Sequence, residues 1–321
     1  MTQSQSRFAD LKAYLNRKII GQEALVDSVL IALLSRGHVL VEGVPGLAKT
    51  RAIRVLANAM EGDFQRIQFT PDLLPADLTG TEIYRNQTGS FEFKAGPLFH
   101  NLVLADEINR APAKVQSALL EAMSEGEISV GDVTYALPTP FLVMATRNPL
   151  EQAGTYALPE AQLDRFLLHV EVDYPRPEDE LQILELVRAE DRGEVRTPDD
   201  ASATDTLLDL AVLDAARREV LDLTVSDSIK RYVVSLVVAT RQGEAARALG
   251  YGCSPRATLS LDIASRSHAW LSGRDYVSPA DVQSVVHNVF RHRLVLDYDA
   301  EDAGLTIDGV VDTLLDQVAV P

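Results

Sequence analysis

Gly43-Val44-Pro45-Gly46-Leu47-Ala48-Lys49-Thr50 is the stretch on which the reading of the whole chain turns. An apolar run, Val39-Leu40-Val41, precedes it, and Ile53, Leu56 and Met60 follow at helical spacing. Strand, glycine-rich loop and helix in that order are what a phosphate-binding loop requires. The glycines let the backbone approach phosphate oxygens, and consecutive N–H groups at the helix start point at negative charge. Lys49 supplies a point charge to the β- and γ-phosphates, and Thr50 a hydroxyl for Mg²⁺. Ala48 stands before the lysine where the general pattern has glycine, and its methyl is compatible with the negative φ of a helix start.

The chain has 321 residues, room for two domains, and 46% hydrophobic residues, enough for a full core. A net charge of −17 argues against a broad, non-specific nucleic-acid surface but leaves a local basic channel open. Cys253 is the single cysteine, so no intramolecular disulfide forms, as expected in a reducing compartment. Residues 1–10 lack the pattern of a signal segment, and apolar runs such as Val29–Leu34 are too short to span a bilayer. The expectation is a soluble cytoplasmic protein. The histidines (His38, His100, His169, His268, His287, His292) are scattered; His287 and His292 lack a nearby third ligand, and no zinc site is expected.

Phe8, Leu11 and Leu15 recur at helical spacing, Gly21-Gln22 interrupts, and a second apolar helix runs from Glu23 to about Ser35. Short apolar runs then alternate with helical patterns. The candidate strands are Val39–Glu42, Arg66–Phe69, Leu102–Ala105, Phe141–Ala145 and Phe166–Val172. Such alternation predicts an α/β core, a parallel sheet with helices on both faces and its ligand at the C-terminal strand ends. Two hairpins interrupt this core, Thr81–Arg85 with Ser90–Lys94 and Ile128–Val130 with Val133–Tyr135. They read either as solvated decorations or as protrusions that touch a partner or substrate. Asp173-Tyr174-Pro175-Arg176-Pro177 reads as a stiff linker into an almost wholly helical second domain. Its clearest helices are Asp227–Arg241, Pro255–Leu271 and Pro279–Arg291, the last with Ser278 as N-cap. The expected division is a nucleotide-binding core over 1–175, with hairpin inserts at about 79–95 and 127–136, and a helical domain over 176–321. The acidic, proline-containing stretch Glu190–Ala203 reads as an exposed loop.

Leu102-Val103-Leu104-Ala105 runs into Asp106-Glu107. A carboxylate at a buried strand end can hold Mg²⁺ beside the phosphates, the role of Asp106, and its neighbour Glu107 can take a proton from an attacking water. The next strand ends in Thr146-Arg147-Asn148-Pro149. Asn148 either orients that water or simply opens an Asn-Pro turn. Arg165, in Leu163-Asp164-Arg165-Phe166, makes a surface ion pair in a monomer or, in a ring, reaches a neighbour's γ-phosphate. An arginine so supplied is worth roughly 10³–10⁵ in rate. Gly252-Cys253-Ser254-Pro255-Arg256-Ala257 opens a helix. Arg256 either folds back on the nucleotide or is a first-turn arginine that the helix dipole mildly disfavours. Cys253 reads as a small packing residue.

Together these residues resemble AAA+ ATPases, and specifically the MoxR family, over about residues 8–320. The most specific segments are Gly43–Thr50 with Ala48 before Lys49, Asp106-Glu107-Ile108-Asn109-Arg110-Ala111, and Asn148-Pro149 followed by Glu151-Gln152-Ala153-Gly154-Thr155-Tyr156. Leu158–Phe166 and Ser254-Pro255-Arg256 complete the set; Arg147 departs from it, standing where glutamine is usual. The resemblance implies a five-stranded αβα core with a helical lid, ATP and Mg²⁺ as cofactors, and Gly21-Gln22 near the adenine. It implies that Arg165 acts in trans and that Arg256 is the lid's sensor. It also implies a homo-oligomeric ring, most often a hexamer, working with a von Willebrand factor A domain protein. Such a ring would assist assembly, metal-cofactor insertion or maturation of a client protein. A magnesium chelatase-like subunit shares the hairpin-bearing core but fits Leu158–Phe166 less well. A nucleic-acid motor is disfavoured by the charge and by the lack of a basic C-terminal module, so neither a nucleic-acid partner nor a membrane segment is expected. A nucleotide-gated adaptor is disfavoured by Glu107 and Asn148.

Overall fold

The structure, a computed structural model, describes residues 2–44, 46–47, 49–87, 89–149, 154–195, 197 and 206–321. Helix α1 (Gln3–Lys18) starts at a capping box in which Thr2 and Gln5 bond reciprocally. It buries Phe8, Leu11 and Leu15, as the sequence spacing predicts. Helix α2 (Glu23–Leu34) is apolar nearly all round because it lies between layers, buried from Leu25 to Leu34 apart from Asp27. The core continues with β1 (Val39–Gly43), α3 (Lys49–Ala59), β2 (Phe64–Gln68), α4 (Pro75–Thr79), β3 (Gly80–Arg85) and β4 (Ser90–Ala95). Then come β5 (Leu102–Asp106), α5 (Ala113–Glu125), β6 (Glu127–Val130), β7 (Val133–Ala136), β8 (Leu142–Arg147), α6 (Glu160–Leu163) and β9 (Leu168–Val172).

Five strands form one parallel sheet in the order β2-β5-β8-β1-β9. Its central strands are apolar on both faces, as helices on both sides require. One face packs on α1–α3 and the C-terminal helices, the other on α5 around Phe69, Leu119 and Phe166. Ala105 pairs with Ala145 and Leu40 also pairs with Ala145, so the C-terminal ends of β5, β8 and β1 lie side by side. The other two pairs, β3–β4 and β6–β7, are the hairpins. They pack on each other: Phe93 stacks on Tyr135 at 4.0 Å, leaving Ile83, Tyr84, Phe91 and Val133 exposed.

The remainder comprises α7 (Pro177–Asp191), α8 (Leu210–Leu221), α9 (Asp227–Ala239), β10 (Leu249–Tyr251), α10 (Pro255–Leu271), α11 (Pro279–Phe290), β11 (Val295–Leu296), α12 (Tyr298–Asp302) and α13 (Ile307–Gln317). Its helices carry one short antiparallel pair, β10 with β11. Ser278 and Asp281 form the box that starts α11, with Pro279 in the first turn. Trp270 of α10 meets Phe8 edge-on at 5.1 Å, tying this part to the N-terminal helix.

One sequence expectation fails outright. Glu190 and Asp191 do not begin an exposed loop; they end α7, and the Glu190 side chain is only 6% exposed. The local composition is acidic, but Arg51 and Lys18 draw Glu190 inward. Residues 196 and 198–203 of that stretch lie outside the described residues. Pro177, read as linker, is instead the first-turn proline of α7.

Candidate active site

Between β1 and α3 the loop turns through Gly46 at φ +88°, a left-handed conformation that glycine adopts without a Cβ penalty. Pro45 and Ala48, and Glu151-Gln152-Ala153 of the later motif, lie outside the described residues. The Lys49 ammonium donates to the Gly43 carbonyl at 2.5 Å. Gly46, Leu47, Lys49, Thr50, Asp106, Glu107, Thr146 and Asn148 line one cavity of about 300 Å³. The loop, the paired acids and the candidate water-orienting amide therefore converge at the C-terminal edge of the sheet.

The two acids are held differently. Asp106 accepts from the Thr146 hydroxyl at 2.6 Å on one oxygen and from Arg66 at 2.6 Å on the other. Glu107 sits at φ 57° and ψ 50°, left-handed backbone for a residue with a Cβ. Its N–H donates to Thr146 Oγ1 at 2.9 Å, so one hydroxyl bridges both acids. The Glu107 carboxylate accepts from Gln68 at 2.6 Å and pairs with Arg110 at 3.1 Å. A left-handed residue of this kind costs roughly 1–2 kcal/mol, and such strain gathers where geometry serves a site. Arg66, Gln68, Arg110 and Thr146 were not among the sequence candidates. The available signal was Arg66 and Gln68 at alternate positions of β2, which puts both on one face, with Gln68 in register with Asp106.

A second cavity of about 180 Å³ shares Gly46 and Leu47 with the first. Ile19, Ile20, Gln22, Pro175, Ile183, Leu186 and Val187 form mostly apolar walls, with Lys18 and Arg51 at the edge. An apolar slot joined to a phosphate-type cavity suits a nucleoside base. Gln22 is one of these walls, its amide donating to the Asp173 carbonyl at 3.0 Å. Gly21 is not a wall but supplies the turn before it, at φ +73°. The contribution of α7 was missed in the sequence, because apolar residues within an acidic stretch do not announce a base pocket.

The two candidate arginines lie elsewhere in the chain. Neither Arg165 nor Arg256 lines the cavity of Lys49 and Asp106. Among the described residues Arg165 makes no surface ion pair of the kind expected for a monomer; it donates to the Leu120 carbonyl at 2.5 Å. Arg256, half-exposed in the first turn of α10, lies 3.5 Å from Asp164. Asp164 also accepts from Ser254 at 3.0 Å and from the buried Arg293 at 2.7 Å. Arg147, beside Asn148, pairs with Glu42 at 2.5 Å, and Glu42 also meets His169 at 3.1 Å. Burial works to raise the Glu42 pKa, but His169 and Arg147 outweigh it and hold the carboxyl below its ordinary value. Cys253 is buried, and burial pushes its thiol up to about 12, so it is a packing residue with no thiolate to offer.

A parallel sheet with a phosphate loop after its first strand, paired acids after a neighbouring strand and a helical C-terminal part defines an AAA+ nucleotide hydrolase. Comparison with known proteins agrees. Residues 38–168 match the ATPase family associated with various cellular activities, and residues 241–314 match the AAA lid domain. The chain is 47% identical to chaperone MoxR1 of Mycobacterium tuberculosis, over 96% of this chain and 80% of that one. It is 34% identical to MoxR of Paracoccus denitrificans, over 98% and 97% of the two chains. The solved structure of a candidate ATPase from Cytophaga hutchinsonii superposes with a TM-score of 0.89 at 40% identity, covering 99% of this chain and 96% of that one. The chain belongs to the MoxR family of AAA+ ATPases: it binds nucleotide and hydrolyses ATP. Among the described residues, no helix is long and apolar enough to cross a membrane.

Proposed function

We propose that this chain hydrolyses ATP within a homo-oligomeric ring, most simply a hexamer, to remodel or mature a client protein in the cytoplasm. The observation that carries the catalytic part is the convergence of Lys49, Thr50, Asp106, Glu107 and Asn148 on one cavity. The loop residues 43–50 and Lys49 bind the phosphates, and the base lies in the slot beyond Gln22. Thr50 and Asp106 suit Mg²⁺, because a hydroxyl and a carboxylate line the same cavity and two partners orient Asp106. Held there, Mg²⁺ would supply positive charge to the nucleotide's phosphates. Glu107 takes the proton of the attacking water, Gln68 and Arg110 set its position, and Asn148 orients the water. Residues 1–175 act as the nucleotide-binding core and 176–321 as the lid.

Arg165 and Arg256 complete the cycle across subunits and domains. Arg165 lies outside its own cavity, which supports action on a neighbour's γ-phosphate. Arg256 would exchange its pairing with Asp164 for the nucleotide, making the lid a sensor. MoxR1 of Mycobacterium tuberculosis is named a chaperone, which supports a client-directed role here. A von Willebrand factor A domain protein is the proposed adaptor, with metal-cofactor insertion as one form of maturation. The exposed Ile83, Tyr84, Phe91 and Val133 of the joined hairpins offer a surface for such contacts.

Glu107→Gln should retain ATP binding and lose about 10²–10⁴ in turnover, the usual share of a general base. Phosphate release measured beside nucleotide binding checks this, and normal turnover would remove Glu107 from the mechanism. Mixing inactive Lys49→Ala with inactive Arg165→Ala should restore part of the activity; no recovery would refute action in trans.

A further inference from the structure

The residue after Thr50 is Arg51, in the first turn of α3, and it joins the phosphate loop to the wall of the base slot. Its guanidinium holds both Glu190 oxygens, at 2.6 and 3.1 Å, and its Nε donates to the Lys18 carbonyl at 2.7 Å. The Lys18 ammonium stands 3.7 Å from the same carboxylate. Glu190 is in the last turn of α7, and Ile183, Leu186 and Val187 earlier in α7 face the slot. Toward the other end of α7, Asp179 abuts the Gly21 turn: a Cβ built on Gly21 would lie 3.1 Å from that of Asp179. Helix α7 is thus fixed at two points, and the base slot lies between them.

We infer that the Arg51–Glu190 pair is a latch that holds α7 over the bound base and sets how fast nucleotide leaves. Arg51 shares a helical turn with Lys49 and Thr50, so a shift of that turn on phosphate binding or release moves the latch with it. Neither residue reaches the reacting phosphate cavity, which makes them positioning residues. The forked pair suits this role because a planar guanidinium fixes a carboxylate in direction as well as distance. The inference rests on reading the two cavities as the nucleotide site.

The test uses the full chain, with ATP turnover and the dissociation of fluorescently labelled ADP as readouts. Glu190→Gln removes the charge at constant size, and Arg51→Lys keeps the charge but loses the fork, so one variant stands if the other does not fold. Each is expected to raise KM for ATP about tenfold and to speed ADP release by a similar factor, the effect falling on KM rather than kcat. KM and ADP release within twofold of the parent in both variants would overturn the latch. So would parallel losses of kcat and melting temperature with KM unmoved, the signature of a purely structural clip. Failure of the parent chain to bind labelled ADP would instead refute the site reading on which the latch depends.

Discussion

Charged side chains crowd two regions of this molecule, the phosphate end of the sheet and the seam between the sheet and the C-terminal helices, and they are used in opposite ways. At the seam, the Arg293 side chain is 2% exposed and donates to Asp164 at 2.7 Å, to the Phe166 and Leu167 carbonyls at 2.6 and 3.1 Å, to Ser260 at 3.1 Å, and to the Val289 carbonyl. Arg291 is similarly engaged by Asp308, Asn288 and the His169 carbonyl. At the phosphate end, Asp106 and Glu107 have two or three neighbouring donors each, yet both border a cavity, and Glu107 is held on strained backbone. Residue type does not separate structure from chemistry here. What separates them is whether protein groups saturate the charge and whether the backbone is relaxed.

The comparison breaks most readily at Arg293. If the seam charges serve only to join the two parts, Arg293→Met should cost about 3–5 kcal/mol, because it strips Asp164 of its buried partner and removes a buried donor from several main-chain carbonyls. Urea unfolding measures this, and any residual folded protein should still bind ATP. A variant that stays as stable as the parent but loses nucleotide binding would move Arg293 from the seam's class into the site's.

The same contrast explains what was legible in the sequence. Gly43–Thr50 could be read because its parts are contiguous and its offsets fixed, and Asp106-Glu107 because they end an apolar strand. The strand positions were recovered with ends displaced by a few residues, as for β2, expected at Arg66–Phe69 and found at Phe64–Gln68. Thr146 could not be read as a bridge: a threonine in a strand is ordinary, and its role arises only from the register that sets β8 beside β5. Glu190 was misread because its partner Arg51 is 139 residues away, while the stretch that follows it in sequence is acidic and proline-containing. Arg165 and Arg256 were identifiable as arginines worth watching, but their partners, Leu120 and Asp164, follow from tertiary packing alone.

His38 sharpens the comparison through pH. It is fully buried just before β1; its Nε2 lies 3.1 Å from the Met123 carbonyl, and its Nδ1 accepts from the Val143 N–H at 3.0 Å. Burial lowers its pKa from 6.5 to about 4, so the folded state keeps it neutral while the unfolded chain protonates it. Its stabilising contribution is complete above the unfolded value and is lost as pH falls from there through about 4, a total on the order of 3 kcal/mol. The sequence pI is about 4.7, so the accessible part of this window lies above it. Urea unfolding at about pH 7.5 and about pH 5.5 should differ by roughly 1 kcal/mol more in the parent than in His38→Gln. Equal slopes would mean that this histidine is not held neutral by the fold.

Glu107 is the converse case, and the smallest effect tests it most directly. Replacing it with glycine or alanine removes the same carboxylate and the same bonds from Gln68 and Arg110, so both variants should lose turnover alike. They differ at the backbone, since only glycine adopts a positive φ without a Cβ clash. Glu107→Gly should therefore be more stable than Glu107→Ala by about 1 kcal/mol, read as a difference in unfolding midpoint. If the alanine variant were as stable as the glycine variant, the left-handed turn at Glu107 would carry no strain. The contrast between a relaxed seam and a strained site would then reduce to one of solvent exposure.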